Sequence, residues 1–202
     1  MIVEFVGIPG AGKSTAAQRT ADLIESRGVP PPEIVNLWSH PMTAAQRFRA
    51  TWCNARLALM LAARVRKRHD VSAVNRQIGR EWLMCRLDSP ALMESGPVHV
   101  ASLTAGALDL SPKVLCARVT PPDVVVDLRL SPTVAMERNA VQRKSRRIMM
   151  SGDESEVRTK LLEAQREVDA VMDCMDVNRV IFDVEAMSAD DVAEAVARLI
   201  SE

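Results

Sequence analysis

Apolar and polar positions alternate along the chain in two rhythms, one of period two and one of helical period. Ile2–Val6 is a short, β-branched apolar run of the kind that builds a buried strand. A glycine-rich stretch follows, and then 15–24 has the spacing of an amphipathic helix. That helix is predicted over Lys13–Ser26, stopping at Gly28 and the turn Pro30-Pro31-Pro32. A second short strand is predicted at 33–38. A long helical pattern without glycine or proline covers 43–68, and a further helix covers 72–87. Residues 90–94 read as a strand that ends in a carboxylate. Helical patterns follow at 98–110 and, after a break at Pro112, briefly at 113–118. Residues 123–130, Asp-Val-Val-Val-Asp-Leu-Arg-Leu, are the clearest buried strand. Ser131 then offers an N-cap with Pro132 at the first helical position, and the helix runs through Ala135, Met136 and Glu137 into a basic stretch. A helix at 155–175, a strand at 179–184 and a helix capped by Ser188 complete the chain. Asp191 stands at the capping-box position of that last helix. Strands and helices in alternation predict an α/β architecture, a parallel sheet covered by helices on both faces. No repeat, linker or low-complexity segment interrupts it, so residues 1–202 read as a single domain.

Composition narrows the function classes. A length of 202 residues suits one domain with a substantial core. Lys plus Arg (26) equals Asp plus Glu (26), which argues against a general polyanion-binding surface. Aromatics make up 3% of the chain and tyrosine is absent, so stacking platforms for single-stranded nucleic acid are not expected. Nucleic acid is therefore disfavoured as a partner. Cys53, Cys85, Cys116 and Cys174 are widely spaced without a C-x-x-C pair and read as reduced thiols. The N-terminus enters a strand at once, without the basic start of a signal peptide. The apolar run 57–63 is too short to span a membrane and is bounded by Arg56 and Arg64. A cytoplasmic protein with no membrane partner is the expectation, with homodimer formation left open.

The chemistry is concentrated in Gly7-Ile8-Pro9-Gly10-Ala11-Gly12-Lys13-Ser14-Thr15, which fits the P-loop pattern between a strand and a helix. Backbone amides and the helix N-terminus there would cradle phosphates. Gly7, Pro9, Gly10, Ala11, Gly12, Lys13, Ser14 and Thr15 are the candidate nucleotide-binding residues. Lys13 would reach the β- and γ-phosphates, and the Ser14 hydroxyl would ligate Mg²⁺. Glu94, at the C-terminal end of its strand, would share that sheet edge. It could act as general base for an acceptor hydroxyl or hold a Mg²⁺-bound water. The stretch 138–147 holds Arg138, Arg143, Lys144, Arg146 and Arg147 with no acidic residue. It reads as an arginine-rich lid over about 138–152 that would neutralise charge in phosphoryl transfer, Arg138 and Arg143 first. A solvated basic face is the plainer reading of the same run. Met149-Met150 before Gly152 would pack or hinge at its end. The acceptor site is expected between the second strand and the following helices, with Trp38, His40, Arg47, Arg49, Trp52, Arg56 and Arg80 as candidates. Trp52 and Trp82 also suit a core, and Arg64, Arg66, Lys67 and Arg68 suit a solvated helix end.

With these residues placed, nearly the full length resembles the P-loop kinases of nucleosides and nucleotides, the thymidylate kinase-like and adenylate kinase-like group. The resemblance is carried by 7–15, the strand ending at Glu94, the segment 122–138, the arginine-rich stretch and the final strand and helix. It implies a five-stranded parallel sheet in a three-layer sandwich, ATP with Mg²⁺ as donor, and a purine slot around 184–187. Thymidylate kinases carry an Asp-Arg-Tyr type motif where this chain has Glu94-Ser95-Gly96. The expected activity is phosphoryl transfer to a small-molecule acceptor, with a nucleoside or nucleoside monophosphate as the leading class. A non-nucleotide small molecule, or nucleotide binding without turnover, remains the alternative.

Overall fold

The computed structural model describes residues 1–35, 43–87, 90–142 and 153–201. Its strands are β1 (Ile2–Val6), β2 (Glu33–Val35), β3 (Ala91–Met93), β4 (Val124–Arg129) and β5 (Asn178–Asp183). All pairings among them are parallel, in the order β2-β3-β1-β4-β5. The helices are α1 (Lys13–Ser26), α2 (Ala44–Cys53), α3 (Ala55–Ala62), α4 (Arg68–Met84), α5 (Pro97–Leu108), α6 (Pro112–Cys116), α7 (Pro132–Gln142), α8 (Glu154–Met172) and α9 (Ala189–Ser201). The sheet, its parallel sense and the helical layers are as the sequence predicts. The stretch 143–152, with Arg143, Lys144, Arg146, Arg147, Met149 and Met150, lies outside the described residues, as do Trp38 and His40.

The period-two alternation of the strands divides the core. Val3 and Phe5 of β1, with Val124, Val126 and Leu128 of β4, face the small residues Ala16, Ala17 and Ala21 of α1 and Val192 and Val196 of α9. Small side chains let α1 sit close to the sheet, which draws the loop before it onto the strand ends. On the other face, Val6 and Val125 meet Val98 and Ala101 of α5 and Val168 and Val171 of α8. Among the described residues no helix is long and apolar enough to cross a membrane.

Two predicted boundaries moved. The helix expected over 43–68 is broken at Asn54, whose backbone sits at φ −109° and whose side-chain amide donates to the Ala50 carbonyl at 3.1 Å. A short polar side chain thus competes with the helical ladder where neither glycine nor proline marks a stop. α4 starts at Arg68, before the expected 72. Asp70 Oδ2 accepts the Arg66 and Lys67 amides at 2.8 Å each and closes that N-terminus. Arg66 and Lys67 therefore precede a helix start, where the dipole does not favour them. Ser188 and Asp191 do form the predicted capping box, with Asp191 N donating to Ser188 Oγ at 3.1 Å and Ser188 N to Asp191 Oδ2 at 3.1 Å.

Two polar ties set the layers in register. On β1, Glu4 shares the face of Val6 and is wholly buried. Its carboxylate accepts the Val98 and His99 amides at 2.9 Å each, so a strand caps the N-terminus of α5. A Cβ on Gly96 would lie 2.4 Å from the Glu4 carboxyl carbon, so the residue before the helix must be glycine. Burial raises the Glu4 pKa to about 7, against the pull of the amides and of the buried Arg80 guanidinium. Burial, helped by the cations Lys13, Arg80 and Arg76, lowers the His99 pKa to about 4. The second tie joins β4, β5 and α8. Asp127 Oδ2 accepts from Arg129 Nε and Arg179 Nη2 at 2.6 Å each, and both arginines also reach Asp169 of α8.

Asp127→Ala should lower stability by about 2–4 kcal/mol in urea unfolding, below the full loss of a buried pair because Arg129 and Arg179 keep Asp169 and some water. An unchanged midpoint would contradict this tie. Glu4 and His99 also oppose one another in pH. Acidification from pH 6.5 to 4.5 protonates Glu4 in the native state only, which stabilises, and His99 in the unfolded state only, which destabilises. Glu4→Gln should therefore lose stability on acidification through that window, by about 1 kcal/mol per pH unit, whereas His99→Gln should gain it. Parallel pH profiles for the two variants would refute the assignment.

Candidate functional site

The loop 7–12 runs from the C-terminal end of β1 into α1, at the switch point where β1 is flanked by β3 and β4. Gly7, Gly10 and Gly12 all have positive φ there. Gly7 has φ 141° and lies so close to β4 that a Cβ would stand 2.5 Å from the Leu128 carbonyl oxygen. Gly12 caps α1 at φ 87°, in the left-handed region. The loop is held from outside by Asn139 of α7, whose amide donates to the Pro9 carbonyl at 3.0 Å and the Ala135 carbonyl at 2.8 Å. The first amides of α1 have no intrahelical acceptor, so the loop presents donors and a positive helix end together.

Lys13 folds back over this loop, donating to the Gly7 carbonyl at 2.8 Å and the Ile8 carbonyl at 3.2 Å. Burial lowers its pKa to about 8, with Glu94 pulling the other way. An incoming phosphate would supply the opposite charge that this ammonium lacks. Ser14 Oγ donates to Glu94 Oε2 at 2.9 Å. Strands β1 and β3 are adjacent, which is why residues 80 positions apart meet. A hydroxyl and a carboxylate side by side beside a phosphate cradle are hard oxygen donors that fit Mg²⁺. Among the described residues no group of three His, Cys, Asp or Glu could hold a metal alone, so phosphates and water would have to complete the shell.

Two cavities flank the loop. The larger, about 790 Å³, is walled by Lys13, Ser14, His99 and Ser102 of α5, and Lys160, Glu163 and Glu167 of α8. His99 Nδ1 is buried without a hydrogen-bond partner among the described residues. The smaller, about 390 Å³, lies between Gly10, Gly12, Thr15, Arg138, Val184 and Met187. Arg138 Nη2 donates to the Val184 carbonyl at 2.9 Å there.

The other predicted positions scatter. Arg80 is completely buried beside Glu4 and Glu81 and lines neither of these two cavities, and burial lowers its pKa to about 10. Trp52 is exposed rather than core, and with Arg56 it lines a separate surface groove. The side chains of Arg47, Arg49 and Trp82 lie outside the described part. His99, Asn139, Lys160, Glu163 and Glu167 were not anticipated. The spacing 160, 163, 167 marks one helix face, yet a face of that kind is ordinarily solvated.

No protein-family model matches the chain, and no curated protein sequence does either. Solved structures do match. A deoxyadenosine kinase from M. mycoides with bound dATP covers 100% of this chain and 100% of its own, with a TM-score of 0.58 at 15% identity. The YorR protein from Bacillus subtilis, solved with phosphorylated GDP, covers 100% of this chain and 96% of its own, with a TM-score of 0.59 at 13% identity. Shikimate kinase from Acinetobacter baumannii in complex with shikimate covers 99% of this chain and 92% of its own, with a TM-score of 0.55 at 15% identity. Likeness at such identities speaks to architecture alone, and the chain shares the fold of these kinase structures.

Proposed function

We propose that the chain is an ATP- and Mg²⁺-dependent phosphotransferase acting on a hydroxyl-bearing small molecule, with a nucleoside as the leading acceptor. The observation that carries the reading is the meeting of Lys13, Ser14 and Glu94 at one sheet edge, between two cavities. Donor phosphates would lie along the loop amides, with Lys13 over the β- and γ-phosphates. The smaller cavity would take the donor's base, with Arg138 and the Val184–Met187 turn around it. That position favours a base-side role for Arg138 and leaves Arg143 as the proposed cation over the transferring group. Mg²⁺, bound through Ser14 with Glu94 beside it, would neutralise phosphate charge.

The acceptor would occupy the larger cavity. Its hydroxyl oxygen forms a bond to the γ-phosphorus while the bond to the β,γ-bridging oxygen breaks and ADP leaves. Glu94 would orient or take the hydroxyl proton. His99, neutral because of its burial, can accept a hydrogen bond from the acceptor. The described wall sets Lys13 and Lys160 against Glu163 and Glu167. Once Lys13 is engaged by the donor, the balance turns negative, which favours a neutral or cationic acceptor over a monophosphate.

ADP release measured across nucleosides, nucleoside monophosphates, aminosugars and polyols should rise well above the ATPase background for a neutral or cationic acceptor. Lys13→Ala and Ser14→Ala should each lower kcat/KM by about 10²-fold or more, and Glu94→Gln by a similar factor. Full turnover by Lys13→Ala would sink the reading. Tight nucleotide binding with no acceptor raising ADP release would replace it with a nucleotide-binding regulator.

A further inference from the structure

Outside the kinase-like site, the face built by α2, α3 and the end of α6 is unlike the rest of the surface. α2 turns a small residue inward and large aromatics outward. Ala50 is buried, whereas Phe48 and Trp52, one turn apart, are 71% and 76% exposed. On α3, Leu57 and Leu61 are buried and Leu59 is 72% exposed. A groove of about 890 Å³ runs between the elements, lined by Trp52, Arg56, Leu57, Leu59, Met60 and Arg118 among others, and among the described residues no carboxylate lines it. The surrounding sequence is as one-sided. From 34 to 69 there is no Asp or Glu, while Arg47, Arg49, Arg56, Arg64, Arg66, Lys67 and Arg68 all fall there, in a chain whose charges balance only when this stretch is included. Of these, Arg56, Arg64, Arg66 and Lys67 have exposed side chains.

We propose that this face docks on the surface of an anionic phospholipid bilayer. Exposed aromatic and aliphatic side chains among arginines are what an interfacial helix presents, rings at headgroup depth and guanidinium groups on the phosphates. Charge complementarity selects this occupant. A second copy meeting the face about a two-fold axis would bring two arginine-bearing surfaces together with no carboxylate among the described lining to pair them. For nucleic acid, the face offers only Phe48 and Trp52 as ring faces among its described residues, and Leu59 and Met60 beside them are aliphatic. Among the described residues no helix is long and apolar enough to cross a membrane, so the contact proposed is with the bilayer surface.

The test is co-sedimentation of the full chain with vesicles of phosphatidylcholine alone and of phosphatidylcholine containing about one third phosphatidylglycerol. The chain should pellet with the anionic vesicles only and be released by about 0.5 M salt. Phe48→Ser with Trp52→Ser should lower vesicle binding at least about tenfold, and Arg56→Glu with Arg118→Glu should do the same, both keeping the parent urea midpoint. Failure to pellet with anionic vesicles overturns the proposal. So does undiminished binding by the folded variants, preferential binding of a single-stranded oligonucleotide, or a dimer that Phe48→Ser with Trp52→Ser converts to monomer.

Discussion

A carboxylate removed from water has to receive its hydrogen bonds from the protein, and Glu4 receives them from the first amides of α5. That contact joins the central strand to the helix that carries His99 and Ser102 on the cavity wall. It also constrains the link between β3 and α5, because Gly96 leaves no room for a side chain beside the Glu4 carboxylate. Glu94 lies only two residues before that glycine. The position that lets Glu94 accept from Ser14 thus depends on where Glu4 pins the helix start. There is an electrostatic division of labour as well. The positive end of α5 is spent on Glu4, whereas the N-terminus of α1 has no side-chain cap.

The polar ties are better understood as register marks than as sources of net stability. Burying Glu4 near Arg80, or Asp127 under Arg129 and Arg179, costs desolvation that the attraction only partly returns. The alanine-rich face of α1 and the valines of β1 and β4 supply the driving force. Apolar packing alone tolerates sliding of a helix along a sheet. The Asp127 and Asp169 carboxylates remove that freedom for α8, and so fix where Lys160, Glu163 and Glu167 stand opposite α5.

Local signals in the sequence were sufficient where one segment makes its own case. The loop 7–14 lies between a strand and a helix, and 123–130 is apolar enough to be a central strand. The Ser188–Asp191 cap needs only its own turn. Residues whose meaning comes from a distant partner were not readable. Glu4 looks like the polar half of an alternating strand, and only α5 turns it into a cap, although its sharing a face with Val6 was a hint that it points into a layer. Arg80 looks like a binding arginine until Glu4 and Glu81 are placed beside it. Asn54 breaks a helix through a side-chain amide that composition does not flag. Trp52 follows the helical spacing of a core residue, yet the smaller Ala50 takes the interior place.

Fold and acceptor are separate questions for this architecture. One neighbour was solved with dATP and another with shikimate, though both match this chain over nearly its full length. On the proposed reading, discrimination would reside in the side chains of the larger cavity, between α5 and α8. A dianionic acceptor would need cations there beyond the one that serves the donor. Among the described residues the wall supplies Lys160 for that purpose and sets Glu163 and Glu167 against it. Burial and its neighbour Glu163 already raise the Glu167 pKa, so a further negative charge nearby would be met by proton uptake rather than by attraction. A hydroxyl or ammonium group instead gives those carboxylates a donor. The electrostatics of the wall thus argue for an acceptor that brings hydrogen-bond donors and no phosphate of its own.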